Sequence, residues 1–133
     1  MKYILDTHTL LWVLFAPQNL STQAVNILKN RKTKVCVSLV SFWEIATKVK
    51  IGKLSLSGLT LSDIKKECKS LGFNLLPISF EDIQEYLALP LFKNHKDPFD
   101  RMLIATAIDK SFTLISCDSK LPQYKNTGLS YIW

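Results

Sequence analysis

The chain has 133 residues, 47% of them hydrophobic and 21% charged, a length and balance that support one buried core and exclude a disordered, collagen-like or disulfide-scaffold protein. Seventeen Lys and Arg stand against eleven Asp and Glu, for a formal charge of +6. The excess lies in residues 1–60, where eight basic residues face only Asp6 and Glu44, so a polyanion or an acidic protein is the expected class of partner.

From the N-terminus, β-favouring residues predict a strand at 2–5, followed by a helix at 7–15 that Pro17 closes and a second helix at 21–29. A basic turn at 29–34 leads to a strand at 34–39 and a helix at 41–51. Gly52, Gly58 and Gly72 punctuate the middle of the chain around a helix at 61–71. A strand at 74–78, helices at 80–87 and 98–110, and strands at 112–116 and 129–133 complete the pattern. Alternation of this kind predicts one α/β domain over 1–133, with a mostly parallel central sheet of about five strands flanked by helices.

Cys36, Cys68 and Cys117 are odd in number and lack CxxC spacing, so neither a disulfide framework nor a zinc site is expected, and a cytoplasmic location is. The longest apolar run, residues 10–16, is far short of the roughly 20 residues that span a bilayer. No membrane helix is expected. Asp6 and His8 interrupt the apolar residues after Lys2, so this segment is expected to belong to the fold rather than to a leader.

Ligands of open parallel sheets bind beyond the carboxyl ends of the strands, and Asp6 and Asp118 both follow predicted strands. Either acid can instead cap the helical segment after it. Glu44 has a stronger structural explanation, because Ser41-Phe42-Trp43-Glu44 has capping-box form and Lys48 stands four residues on. Helical phase also sets it away from the stripe Phe42, Ile45, Ala46 and Val49, predicting a solvent-facing side chain. Asp100 differs. In Asp97-Pro98-Phe99-Asp100 the first acid suits an N-cap and Pro98 the first helical position, while Asp100 shares a face with Leu103, Ile104 and Ala107.

A carboxylate on that face needs compensation for its desolvation, and Arg101 points to another side. A cluster of acids with few local counter-charges suits Mg²⁺ or Mn²⁺, since zinc favours His and Cys and only His8 and His95 offer imidazoles. Each histidine is expected to be structural or on the surface rather than a ligand, with His95, beside Asp97, also placed to assist substrate binding or proton transfer. P-loop, GxGxxG and GxSxG motifs are absent, and His8 stands where a haloacid-dehalogenase phosphatase needs its second Asp.

Four stretches resemble the PIN-domain ribonucleases, particularly the VapC-type toxins of bacterial toxin–antitoxin pairs. They are Ile4-Leu5-Asp6-Thr7-His8-Thr9-Leu10-Leu11-Trp12, Ser41 to Glu44, His95-Lys96-Asp97-Pro98-Phe99-Asp100-Arg101-Met102-Leu103-Ile104-Ala105, and Leu114-Ile115-Ser116-Cys117-Asp118. The third is the most specific, and their order spans the chain. The resemblance implies a PIN-like three-layer fold and places Asp6, Glu44, Asp100 and Asp118 at the family's acidic positions, with Asp97 and Ser116 supporting. His8 and Ser116 depart from the residues common in relatives, but neither departure removes an acid.

The implied activity is Mg²⁺- or Mn²⁺-dependent hydrolysis of RNA phosphodiesters, leaving 5′-phosphate and 3′-hydroxyl ends. Lys48, Lys50 and Lys53 are candidate RNA contacts, against the simpler reading of a solvated helix face. A small antitoxin, from an adjacent gene, and a homodimer of this chain are the implied protein partners. Trp12, Phe15, Phe42 and Trp43 are candidate contacts for the antitoxin unless they serve only the core. The alternative is a catalytically inactive PIN-like module that binds RNA or protein, against which the filled acid positions weigh.

Overall fold

In the computed structural model, which describes residues 1–133, five strands alternate with six α-helices. The strands are β1 (Lys2–Leu5), β2 (Lys34–Ser38), β3 (Asn74–Leu76), β4 (Thr113–Ile115) and β5 (Ser130–Ile132). The helices are α1 (Thr7–Phe15), α2 (Thr22–Lys29), α3 (Leu39–Lys50), α4 (Leu61–Ser70), α5 (Phe80–Ala88) and α6 (Pro98–Lys110). Every strand pairing is parallel, in the order β3-β2-β1-β4-β5. The sheet is thus wholly rather than mostly parallel.

Several strands are shorter than their β-favouring runs. β3 stops at Leu76 because Pro77 brings no N–H to the ladder. β2 ends at Ser38, whose Oγ accepts the Val40 N–H at 3.0 Å and caps α3. This helix therefore begins at Leu39, two residues before the expected start, with no loop after the strand. At the end of α4, Gly72 takes φ +80° so that its N–H reaches Lys69 O at 3.0 Å and Phe73 N–H reaches Cys68 O at 2.9 Å, closing the helix in the left-handed manner that glycine allows.

Successive side chains of a strand point to opposite faces, and this alternation divides the core into two layers. Tyr3, Leu5, Val37 and Ile115 pack with Leu10 of α1, Ala24 of α2, Ile45 of α3 and Ile64 of α4. Ile4 and Leu114 point the other way, onto Leu103, Ile104 and Ala107 of α6. Each fully buried Leu or Ile contributes roughly 1.5–3 kcal/mol of transfer energy. Buried Asp82 pins α5 to α6 by accepting the Ser79 N–H at 3.1 Å and pairing with Lys110 Nζ at 3.2 Å.

From β1 the chain proceeds to β2 on one side, and β4 later adds to the other. The carboxyl ends of β1 and β4 consequently flank the point where the winding reverses, the place at which open α/β sheets form crevices.

Candidate active site

Leu5 of β1 lies opposite Ile115 of β4, and the ladder extends by the Asp6 N–H donating to Ile115 O at 3.2 Å. Asp6 N-caps α1 through Oδ1, which accepts the Thr9 N–H at 2.7 Å. Its Oδ2 accepts from the hydroxyl of buried Ser116. Ser116 Oγ in turn accepts the Asp118 N–H at 3.1 Å, so one hydroxyl ties the two strand-end acids together. Asp118 Oδ1 accepts the Lys120 N–H at 2.9 Å, holding the turn before the 3₁₀ segment Leu121–Tyr124. Capping and clustering thus coexist in Asp6, whereas Asp118 braces a turn and the 3₁₀ segment after it, with Lys120 at its N-cap position, has no side-chain cap. Burial pushes the Asp6 carboxyl above its usual range, although the Ser116 and Thr9 hydrogen bonds oppose that shift.

Glu44 is not solvent-facing, contrary to its helical phase against the apolar residues. It is only 3% exposed. Because Ser38 caps α3, Ser41 lies inside the helix and accepts the Thr7 hydroxyl at 3.0 Å instead of closing a capping box. The buried face carries Val40, Ser41, Glu44 and Ile45, whereas Trp43 and Val49 are exposed. α3 packs against both α1 and α6, which turns its polar residues toward the cleft between them. Glu44 Oε2 accepts from Lys48 Nζ at 2.6 Å, while Oε1 is buried without a partner. Burial lowers the Lys48 pKa, but the bond and charge of Glu44, aided by Asp97 and Asp100, outweigh it and leave the ammonium above its usual value.

Asp97 caps α6 as expected, its Oδ1 accepting the Phe99 and Asp100 N–H groups at 2.8 and 3.1 Å. Carboxylate oxygens of Glu44, Asp97 and Asp100 lie within 4.8 Å of one another, and Asp100 also belongs to a second group with His95 and Asp118. Burial, followed by the charges of Asp97, Glu44, Asp118 and Asp6, raises the Asp100 pKa to about 7. Protein cations do not neutralise this cluster apart from Lys48 at its margin. The acids supply an oxygen-rich donor set, and Glu44 Oε1 remains unsatisfied, so the residues fit a hard divalent cation.

Of the two places expected for His95, the structural one holds and the surface one does not. His95 is 3% exposed, with Nε2 at 3.4 Å from Asp118 Oδ2 and 3.6 Å from Asp100 Oδ2. Its Nδ1 lies 2.7 Å from the Tyr124 hydroxyl, which accepts from Arg101 Nη1 at 2.9 Å. With Arg101 donating, the Tyr124 proton is best used on Nδ1, which leaves the hydrogen of the neutral ring on Nε2, facing the acids. Burial favours that neutral ring, lowering the His95 pKa despite Asp118. Arg101 also donates to Pro90 O at 3.0 Å and so anchors the chain of side chains away from the cluster.

A cleft of about 470 Å³ opens over Asp6, Glu44, Asp100 and Asp118. Lys48 and Lys53 line it; Lys50 is exposed outside the lining. Trp12 also lines the cleft, whereas Phe15 and Trp43 are exposed elsewhere and Phe42 packs against the core. The three cysteines are free, and Cys117 is on the cleft wall.

Four acids thus gather at the topological switch point of a parallel α/β domain, the place where open α/β folds bind their ligands. The PIN domain family model matches residues 3–126, and the chain belongs to that family. No match is found among curated proteins. Its fold is similar to a chain of the VapBC2 complex from Rickettsia felis bound to a promoter DNA fragment, with a TM-score of 0.72, 16% identity, and 99% of this chain and 98% of that one covered. It is also similar to a chain of a toxin–antitoxin complex from Klebsiella pneumoniae, with a TM-score of 0.61, 20% identity and coverages of 98% and 96%. FitAcB from Neisseria gonorrhoeae gives a TM-score of 0.62 at 18% identity, with the same coverages of 98% and 96%.

Proposed function

We propose that this chain is a metal-dependent endoribonuclease and the toxin of a toxin–antitoxin pair. The observation that carries the nuclease reading is the convergence of Asp6, Glu44, Asp100 and Asp118 on one cleft, with a buried Glu44 oxygen left unpartnered. Asp6, Asp100 and Asp118 would hold Mg²⁺ or Mn²⁺, with Glu44 joining directly or through water. When bound, such an ion makes a water sufficiently acidic to act as a nucleophile at neutral pH and neutralises charge on the phosphate.

The protein side chains keep that donor set in place. Ser116 fixes the carboxylate of Asp6 relative to Asp118, and Asp97 fixes the first turn of α6 below Asp100. His95, held by Tyr124 and Arg101, presents its Nε2 hydrogen between Asp100 and Asp118, a positioning role. Lys48 and Lys53 attract backbone phosphates by charge. In-line attack of water on phosphorus, with departure and protonation of the 3′ oxygen, gives a 5′-phosphate and a 3′-hydroxyl.

The purified chain is expected to cleave RNA with Mg²⁺ or Mn²⁺ and to stop when EDTA is added. Folded Asp100→Asn and Asp118→Asn variants should lose activity. Full activity in Asp100→Asn would overturn the assignment.

The toxin role is supported by structural similarity to components of toxin–antitoxin complexes and by the basic charge, which suits an acidic antitoxin. Coexpression with the adjacent small gene should give a copurifying complex with suppressed cleavage; no interaction would remove the toxin role alone. The exposed stripe Phe80, Ile83 and Leu87 on α5 supports a homodimer. A purely monomeric chain in sedimentation would contradict that assignment. No helix is long and apolar enough to cross a membrane.

A further inference from the structure

We infer that His8, backed by Trp12, is a stacking platform for one unpaired nucleobase beside the acid cluster. This inference rests on the nuclease reading. His8 is the second residue of α1, the helix that Asp6 caps, and two residues span at most about 7 Å. A phosphate held by Lys48 and Lys53 and by the cation that the acids would carry therefore brings the base of the same or the neighbouring nucleotide to His8.

His8 is exposed, and its ring centroid lies 5.4 Å from that of Trp12, which lies 5.5 Å from Trp133. His8 and Trp12 line the same cleft as Asp6, Asp100 and Asp118. Trp12 is half-buried on the cleft wall and rests on Trp133, which packs against the core. Leu10 is part of the buried core, and Leu11, Val13 and Leu14 pack against it, but Trp12 is not among the residues packed there. An indole left at a polar cleft wall presents apolar area and a π-face that a base can cover. The same cleft holds Lys48 and Lys53, so acids that would hold a cation at the reacting phosphate, basic side chains for the backbone and aromatic rings for a base occur together.

That combination is the recognition chemistry of unpaired nucleic acid, in which stacking tolerates any base but needs its face free. A paired base in a duplex has both faces covered by its neighbours. The cleft volume, about 470 Å³, is in the range of small-ligand sites, roughly 300–1,000 Å³, and is large enough for one nucleotide.

The test uses the full chain carrying Asp100→Asn, with Mg²⁺ present, and short single-stranded oligoribonucleotides with 2-aminopurine at successive positions. One position should show quenched fluorescence on binding, while the corresponding duplex should not. His8→Ala and Trp12→Leu, verified as folded by circular dichroism, should remove the quench and weaken binding by between about 5-fold and about 150-fold. Trp12→Phe should keep most of both effects. Absence of binding, absence of quench at every position, or an unchanged quench in both folded variants overturns the platform. So does a Trp12→Leu protein that loses antitoxin binding but binds RNA as before. Cleavage by the parent chain in Mg²⁺, measured in parallel, separates the two readings: cleavage without quench removes the platform alone, and quench without cleavage removes the nuclease alone.

Discussion

Replacing Asp100 by Asn should stabilise the cation-free protein while abolishing its activity, and the stabilisation should depend on pH. The folded Asp100 pKa is about 7 against an ordinary 3.8, because of burial and then the charges of Asp97, Glu44, Asp118 and Asp6. Between those values the folded chain binds a proton that the unfolded chain has released, so stability falls as pH rises from about 4 through about 7. Taken in full, the displacement corresponds to about 4 kcal/mol. The side chain is 37% exposed, and solvent screening reduces the expected penalty to about 2 kcal/mol. For a domain of 133 residues this is a rise of about 7 °C in Tm for Asp100→Asn at pH 8.

Thermal unfolding in EDTA at pH 5 and pH 8 measures it directly, and the gain should be clearly smaller at pH 5. Saturating Mg²⁺ should reverse the order, since a cation at 100 times its Kd stabilises the parent chain by about 2.7 kcal/mol. Equal melting temperatures at pH 8, or the same difference at both pH values, would refute the charge-crowding account.

Glu44→Gln should change stability by no more than about 1 kcal/mol, because the lost Lys48 pair is partly exposed, yet reduce cleavage by about 10- to 100-fold. Unfolding curves and initial rates decide, and unchanged rates would take Glu44 out of the site. Tyr124→Phe leaves His95 Nδ1 and one Arg101 donor without their shared partner and should cost about 1–3 kcal/mol in urea denaturation. It should also slow cleavage, and full activity in the folded variant would dismiss the positioning of His95. Ser111 closes α6 at φ 56°, so Ser111→Gly should stabilise the chain by about 1 kcal/mol; a loss of stability in chemical denaturation would contradict this.

The sheet and helices were legible because the chain alternates β-favouring runs with amphipathic segments, each ended by proline, glycine or a capping side chain. Asp6 and Asp118 were visible as acids after strands, and Asp100 as an acid on an apolar helix face. The local sequence around Glu44 points the wrong way. Ser41-x-x-Glu44 imitates a capping box, but Ser38 caps the helix, and the face that carries Glu44 meets the cleft between α1 and α6 rather than open water. His95 could not be assigned locally, because its contacts lie in Tyr124, Arg101, Asp100 and Asp118. The only sequence signal was its place in His95-Lys96-Asp97-Pro98. The position of Trp12 at the cleft also depends on tertiary packing, since its helix is apolar on several sides.

The most direct measurement of the central claim is the chemistry of the ends produced when the purified chain meets a labelled RNA in Mg²⁺. The acid cluster predicts cleavage that EDTA stops, fragments with 5′-phosphate and 3′-hydroxyl ends, and no fragments from folded Asp118→Asn. Metal-independent cleavage that leaves 2′,3′-cyclic phosphates, or fragments from Asp118→Asn at the parent rate, would contradict it.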